Sequence, residues 1–298
     1  MEPLNYQPGE ILRETLHEIR HILGPSLEDL TVERIVLGVF FTGVKLSNGT
    51  GGVCYTPIKS IPNAVCCPSS AKALPSSGKL KGRAALQCAG EMLASGPLSR
   101  AIGIAIVNAF SMNCWQARPP VEYGIKIGID AMDEVTLRDD DYVVVVGAIV
   151  PTLKALKRRG KPFGILELDT ATLTPDEMPF YIPPERAAEA VAKADWLIVT
   201  GTTLINDTLE GLLEQRKPGA RVALIGPTAS ALPGAFFRRG VGIIGGVRVV
   251  EPDRVLDIIA EGGSGFHFFD KGADRIVIQQ LQGISPRMRF EAADAQRI

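Results

Sequence analysis

The stretch DWLIVTGTTLINDTLEGLLEQRKPGARVALIGPTASALP, residues 195–233, contains two short apolar runs that each end in a turn with glycine and threonine. The first run, Trp196 to Val199, leads into Thr200-Gly201-Thr202-Thr203 and then at once into an amphipathic segment. The second run, Val222 to Ile225, leads into Gly226-Pro227-Thr228. Such runs indicate strands, and the amphipathic segment indicates a helix. We therefore predict two strands whose carboxyl ends lie at one edge of a sheet.

The same alternation extends over the second half of the chain. Strands are predicted at 142–146, 164–168 and 241–250, and helices at 150–158, 184–194, 235–239 and 252–260. A glycine-rich loop begins at Glu261, and residues 273–282 are predicted to form a last helix before a polar tail from Arg287. Apolar strands alternating with helices are typical of a doubly wound parallel sheet in an α/β fold.

The first part of the chain has a different pattern. Helical spacing predicts a helix from Gly9 to Leu23, ended by Gly24-Pro25. Antiparallel strands are predicted at 36–46 and 52–55 around an Asn48-Gly49 hairpin turn, and helices at 84–93 and 98–110. Residues 61–75 should be a loop, and residues 116–141 a connection between domains. The predicted domains are an N-terminal α+β domain, residues 1–122, and a C-terminal α/β domain, residues 123–298.

Length and composition limit the functional class. A chain of 298 residues is more typical of two domains than of one. The charges of the 32 basic and 33 acidic residues nearly cancel, so neither nucleic acid nor an anionic membrane is an expected partner. The expected partner is a small molecule or a protein. The opening residues MEPLNYQPGE do not have the basic and then apolar pattern of a signal peptide, so none is expected, and no apolar run reaches about 18 residues. The five cysteines include no CxxC pair. We expect a cytoplasmic protein, and assembly into a homo-oligomer is left open.

The sequence His17-Glu18-Ile19-Arg20-His21 matches HExxH, the pattern of zinc metalloproteases. At about 100° per residue, however, both histidines fall opposite the apolar stripe of the predicted helix. A third ligand would have to be His267, the one remaining histidine of the sequence. We therefore expect His17 and His21 to be exposed surface residues.

Two features match parts of a dinucleotide-binding fold. The glycines from Gly240 to Gly245 fit GxGxxG, but a helix precedes them and a strand follows, which is the wrong order for that fingerprint. Glu167 and Asp169 follow Gly147 by about 20 residues, as a ribose-binding acid does, yet the glycine-rich turn is absent. A nicotinamide or flavin dinucleotide is therefore not expected. Glu167 is the better candidate for a ligand contact, and Asp169 is interpreted as a solvated loop residue.

Cysteine and asparagine provide two further candidates. Cys66-Cys67 could bind a soft metal ion, but two adjacent thiols do not make a four-ligand zinc site, and we interpret them as half-buried thiols. Asn108 lies in a very apolar predicted helix, where an amide without hydrogen bonds would cost about 1–3 kcal/mol. Asn108 should either connect its helix to a loop, which is the favoured interpretation, or face a ligand cavity.

The strongest candidate for a binding site is the pair of turns in the opening stretch. Glycine allows a ligand to approach the backbone, a threonine caps the next helix, and the free N–H groups of a first helical turn suit an anion. Asn206 lies one turn further on and could direct its amide toward the same cavity. The candidate ligand-binding residues are Asn108, Gly147, Glu167, Gly201, Thr202, Thr203, Asn206, Gly226 and Thr228.

The order of these motifs resembles the DUF364 and DUF4213 proteins, which are described as heavy-metal chelation proteins, over nearly the whole chain. The residues that carry the resemblance are Gly38, Asn48-Gly49, Ile102 to Ala109, Val146 to Pro151, Glu167, Asp195 to Thr208, Gly226-Pro227-Thr228, Pro233 and Gly240. The resemblance implies an N-terminal domain similar to the enolase N-terminal fold, a C-terminal Rossmann-like domain and a ligand cleft between them. Asp207 stands where the family often has glycine, so that position is not expected to be essential.

The expected function is binding of a small anionic or metal-chelating ligand in the interdomain cleft. The resemblance connects this binding with heavy-metal chelate, corrinoid or metallophore metabolism, and any metal would arrive already held by its ligand. Two alternatives remain open: a nucleotide- or S-adenosylmethionine-dependent enzyme, and a non-catalytic chaperone for metallocofactor assembly. Catalytic residues and the identity of any metal are not predicted.

Overall fold

The computed structural model describes residues 9–60 and 77–281. The helices are α1 (Glu10–Leu23), α2 (Ala85–Leu93), α3 (Pro97–Ala117), α4 (Val150–Arg159), α5 (Ala187–Lys193), α6 (Leu209–Gln215), α7 (Gly234–Arg238), α8 (Pro252–Ala260) and α9 (Gly265–Phe268). The strands are β1 (Val32–Leu37), β2 (Phe41–Leu46), β3 (Gly51–Tyr55), β4 (Tyr123–Ile127), β5 (Val143–Val146), β6 (Phe163–Leu166), β7 (Trp196–Thr200), β8 (Arg221–Ile225), β9 (Ile243–Val249) and β10 (Ala273–Gln280). No helix within the described ranges is long and apolar enough to cross a membrane.

The first three strands form a small antiparallel sheet in the order β1-β2-β3. β2 and β3 pair around the predicted Asn48-Gly49 turn, and the predicted strand at 36–46 is two strands, because the chain turns back between β1 and β2. On each face of this sheet, a helix packs directly against the backbone of the strands. A Cβ atom on Gly52 would overlap the Ala105 carbonyl group of α3, and one on Gly43 would lie 2.5 Å from the Leu256 side chain of α8.

The other seven strands form one mixed sheet in the order β4-β10-β9-β8-β7-β5-β6. The five strands from β9 to β6 are parallel, as predicted, and β10 and β4 are antiparallel to their neighbours. Helices cover both faces of the sheet. Val144 packs with residues of α1, α3 and α5, whereas Val143 and Val145 pack with α4 on the opposite face.

Two predictions about this sheet are wrong. Residues 273–280 form strand β10 rather than a helix, because β9 and β4 lie on either side of it and supply hydrogen-bond partners along its length. Its side chains alternate accordingly, with Ile276 and Ile278 in one core and Val277 in the other. The predicted connection at 116–141 contains β4, the edge strand that pairs with β10.

Helix α3 joins the two parts of the chain. It extends seven residues beyond the predicted helix at 98–110, and nearly all of its side chains from Leu98 to Cys114 are buried. Its apolar residues belong to the same core cluster as residues of α1, of β2 and of the seven-stranded sheet. The N-terminal sheet, α3 and the large sheet therefore share a continuous core.

Candidate functional site

The order of the parallel strands defines one edge of the sheet as the candidate site. β6 lies on one side of β5 and β7 on the other, and the helices that follow β5 and β6 pack on opposite faces of the sheet. In open α/β sheets, ligands bind outside the carboxyl ends of the strands at such a switch point. Here those ends are Val146-Gly147 and Thr200-Gly201, on the neighbouring strands β5 and β7.

Gly147 has a backbone conformation that a side chain would disrupt. Its φ angle is +96°, and a Cβ atom would lie 2.6 Å from Thr200 Cγ2. Its backbone N–H donates to the Leu166 carbonyl oxygen at 2.8 Å, and its own carbonyl oxygen accepts from the Ile149 N–H at 2.9 Å. Glycine therefore allows the end of β5 to turn tightly against the end of β7.

Glu167 connects the turns that follow β5 and β6. One carboxylate oxygen accepts a hydrogen bond from the Ala148 N–H at 2.8 Å, and the other accepts from the Asp169 N–H at 2.9 Å. The side chain is half-buried at the same edge as Gly147. Glu167 thus lies directly after β6, and its two backbone hydrogen bonds hold the turns after β5 and β6 together.

The turn after β7 differs from the predicted strand, turn and immediate helix. Residues Gly201–Leu204 form a single 3-10 turn that Thr200 caps, since its Oγ1 accepts from the Thr202 N–H at 3.4 Å. The Thr202 hydroxyl group donates to Thr200 Oγ1 at 3.3 Å, and the Thr203 hydroxyl group donates to the Thr200 carbonyl oxygen at 2.7 Å. Of the two threonines, Thr202 is partly exposed and Thr203 is buried.

Helix α6 begins only at Leu209, because Asp207 interrupts the backbone. Asp207 has a φ angle of +57° and forms an ion pair with Arg100 of α3. Asn206 is exposed, and its side-chain oxygen accepts from the Thr208 hydroxyl group at 2.7 Å. The predicted alignment of Asn206 with the first turn of α6 is therefore wrong, since Asn206 precedes the helix.

The turn after β8 is packed into the core. Thr228 is 2% exposed, and its hydroxyl oxygen accepts from the Tyr55 N–H at 3.0 Å. Gly226 has a φ angle of +129°, and a Cβ atom on Gly201 would lie 3.1 Å from Thr228 Cβ. The turns after β7 and β8 therefore lie in close contact. The lack of a side chain at Gly201 leaves room for Thr228.

Asn108 lies beside Thr228 and connects helix α3 to neighbouring segments, which was the favoured interpretation. Its Nδ2 donates to the Val53 carbonyl oxygen at 2.9 Å and to the Thr228 carbonyl oxygen at 3.2 Å. The residue is 1% exposed, and its Oδ1 has no hydrogen-bond partner among the described atoms. Asn108 thus joins α3 to β3 and to the turn after β8.

Lys59 is a charged residue at this edge that sequence reasoning missed. It follows β3 by four residues and forms an ion pair with Asp169, the residue interpreted as a solvated loop residue. Nothing in the local sequence indicates this contact, because it joins segments 110 residues apart that only the fold brings together.

The HExxH motif does not form a metal site. His17 and His21 are exposed on α1, as predicted, whereas Glu18 is directed toward Gly234 of α7, and burial raises the pKa of its carboxyl group. Within residues 9–60 and 77–281, no three His, Cys, Asp or Glu side chains form a group suited to holding a metal ion. Cys66 and Cys67 lie outside the described residues.

Comparisons with known proteins agree on the family. A model named DUF364 and described as "Putative heavy-metal chelation" matches residues 130–278, and a second model with the same description, DUF4213, matches residues 20–111. An uncharacterized protein of Methanocaldococcus jannaschii is 28% identical over 192 residues, which are 62% of this chain and 67% of that protein.

Two crystal structures of DUF364 proteins with unknown function have the same fold. One, from Pyrococcus horikoshii, has a TM-score of 0.70 at 18% identity, and the other, from Desulfitobacterium hafniense, has a TM-score of 0.65 at 22% identity. Each similarity covers 90% of this chain and 99% of the other chain. Since the DUF364 model alone matches half of the sequence, the chain belongs to the family that the DUF4213 and DUF364 models define.

Proposed function

We propose that this protein binds a small anionic, metal-chelating molecule at the edge of the large sheet where β5 and β7 end. The observation that carries the proposal is the strand order, which places the switch point between these two strands. The family description as heavy-metal chelation supports the chemical class, which includes chelates of the corrinoid or metallophore type.

The groups at this edge suit an anion that brings its own metal. Thr202 is partly exposed, and Gly147 and Ala148 at the end of β5 are partly exposed as well. Hydroxyl and backbone N–H groups donate hydrogen bonds to carboxylate or phosphate oxygens. The ligand would hold the metal, and the hydroxyl and N–H groups of the protein would hold the ligand.

We also propose a Rossmann-like fold for the C-terminal part and an enolase N-terminal-like fold for the first part. Helices on both faces of the parallel strands support the Rossmann-like class for the C-terminal part. The three-stranded antiparallel sheet followed by α2 and α3 supports the enolase N-terminal-like class for the first part.

A nucleotide or S-adenosylmethionine is the second candidate ligand. Glu167 and Asp169 follow β6, the strand next to β5, which is where a ribose-binding acid lies in related sheet topologies. The hydrogen bonds that Glu167 accepts from the Ala148 and Asp169 N–H groups would have to rearrange for this role. A non-catalytic chaperone for metallocofactor assembly would bind the metal chelate at the same site without converting it.

Isothermal titration calorimetry separates these candidates. The full chain is titrated with citrate, cobalt(II)–citrate, ATP and S-adenosylmethionine, and each experiment is repeated with Thr202→Val. We expect the chelate to bind and the substitution to weaken binding about 5-fold, as loss of one hydrogen bond does. Thr136→Val, which changes an exposed threonine away from the carboxyl ends of β5 and β7, is the matched control and should bind like the wild type.

Two results of these titrations would contradict the proposed ligand or the proposed site. Binding of ATP or S-adenosylmethionine without binding of the chelate would favour the second candidate. Binding of the chelate that is insensitive to Thr202→Val would place the site elsewhere.

A further inference from the structure

The segment that leaves β3 connects the ends of two separated strands of the large sheet. Its beginning is fixed near the end of β8, because the Tyr55 N–H donates to Thr228 Oγ1 at 3.0 Å. Four residues later, Lys59 pairs with Asp169, which follows β6. Between β8 and β6 in the sheet lie β7 and β5, the strands whose ends form the candidate site.

The segment from Tyr55 to Lys59 is short for the distance between these strands. Neighbouring strands are about 4.8 Å apart, so three strand spacings separate the ends of β8 and β6 by about 14 Å. Four fully extended residues reach at most about 14 Å, and residues Ile58–Ser60 form a 3-10 turn instead. The Lys59 side chain supplies the remaining reach to Asp169. The contacts of the segment with Thr228 and with Asp169 therefore lie on either side of the candidate site.

The charges at this edge require a cation for an anionic ligand. Glu167 and Asp169 are both acidic and would repel an incoming carboxylate or phosphate. Lys59 is the basic residue that the structure pairs with one of them, and its side chain is 65% exposed. An exposed ammonium group can exchange one oxyanion partner for another at little cost, because exposed ion pairs contribute only about 0–1 kcal/mol.

We propose that Lys59 recognises the anionic group of the ligand, and that Asp169 holds the ammonium group beside the site until the ligand replaces the Asp169 carboxylate. This inference rests on the proposed function and adds a specificity-determining residue to it. The exchange breaks and forms only ionic hydrogen bonds. Asp169 competes with the ligand, so the two residues of one ion pair have opposite effects on affinity.

Calorimetric titration of the full chain with cobalt(II)–citrate tests this inference through Lys59→Met, Lys59→Arg and Asp169→Asn. We expect Lys59→Met to weaken binding about 10-fold or more, since a charge-assisted hydrogen bond is lost. Lys59→Arg should keep most of the affinity, and Asp169→Asn should increase it about 3-fold, because the competing carboxylate is gone. A merely structural ion pair would make Lys59→Met and Asp169→Asn equally harmful, and that result would overturn the inference.

Lys193→Met is the matched control. Lys193 has the same exposed fraction, 65%, and an acidic partner, Glu189, but it lies on α5, away from the strand ends. This variant should bind like the wild type. If the wild type binds the chelate and Thr202→Val weakens binding while Lys59→Met does not, the inference fails and the proposed site stands. If the wild type binds no chelate, the proposed function fails and the inference fails with it.

Discussion

At the scale of single residues, the site is built from small groups in close contact. Gly147 lies against the Thr200 side chain, and Gly201 lies against Thr228. Glu167 fixes the neighbouring turns through two backbone hydrogen bonds. The strand ends at these segments were predictable, because glycine and threonine after an apolar run mark a strand end. Which threonine would be exposed and which buried depends on contacts with α3 and β3, and these are not visible in a local pattern.

The Gly147→Ala substitution tests the contact between the ends of β5 and β7. A positive φ angle costs a non-glycine residue about 1–2 kcal/mol, and the overlap with Thr200 adds about 1–3 kcal/mol, so we expect a loss of about 3 kcal/mol in the free energy of unfolding. Urea denaturation measures this loss. Gly160→Ala is the control, because Gly160 also has a positive φ angle but no atom within 4 Å of its Cβ position. Equal losses for the two variants would contradict the proposed contact.

At the scale of secondary structure, amphipathic helices and the parallel strands were predictable. Their apolar residues recur with the period of the element, as in α1 and α8, and the parallel strands are continuous apolar runs. β10 was mistaken for a helix because the polar residues in ADRIVIQQ obscure its alternation. β4 was missed because an edge strand contains few buried residues and obtains its pairing from a strand about 150 residues later.

The contact between α1 and α7 gives a prediction with a pH dependence. Arg239, which is 6% exposed, donates to both carboxylate oxygens of Glu14 at 2.6 and 3.0 Å, and Arg238 donates to one of them. These bonds lower the pKa of Glu14 from 4.5 to about 2. Because the folded-state pKa is depressed, the stabilisation is complete above about pH 4.5 and is lost as the pH falls through about 2.

We therefore expect Glu14→Gln to lower the free energy of unfolding by about 2 kcal/mol at pH 7, because it weakens charge-assisted hydrogen bonds to a buried arginine. The difference from the wild type should narrow between pH 4.5 and pH 2, measured by urea denaturation. Glu189→Gln removes an exposed pair with Lys193 and should cost no more than about 0.5 kcal/mol. A Glu14→Gln effect that is the same at pH 7 and pH 2.5 would show that the carboxylate charge is not what stabilises this contact.

At the scale of the whole molecule, the change from antiparallel strands to parallel strands alternating with helices was predictable from the pattern. How the two sheets pack together was not predictable. Helix α3 is buried between the two sheets, α8 of the second part covers the first sheet, and Asn108 joins them at one point. Of the candidate residues, Asn108 and Thr228 are therefore buried where the two parts meet, whereas Gly147, Glu167 and Thr202 are partly exposed.

Hydrogen–deuterium exchange of the full chain, with and without cobalt(II)–citrate, tests the location of binding most directly. A ligand at the strand ends that also binds Lys59 should slow exchange of the backbone amides at 147–150 and 200–204, and of those from Tyr55 to Lys59. Exchange near Trp196 and Arg221, at the opposite edge of the sheet, should stay unchanged. Slowed exchange confined to that opposite edge, with none at the ends of β5 and β7, would contradict the proposed site.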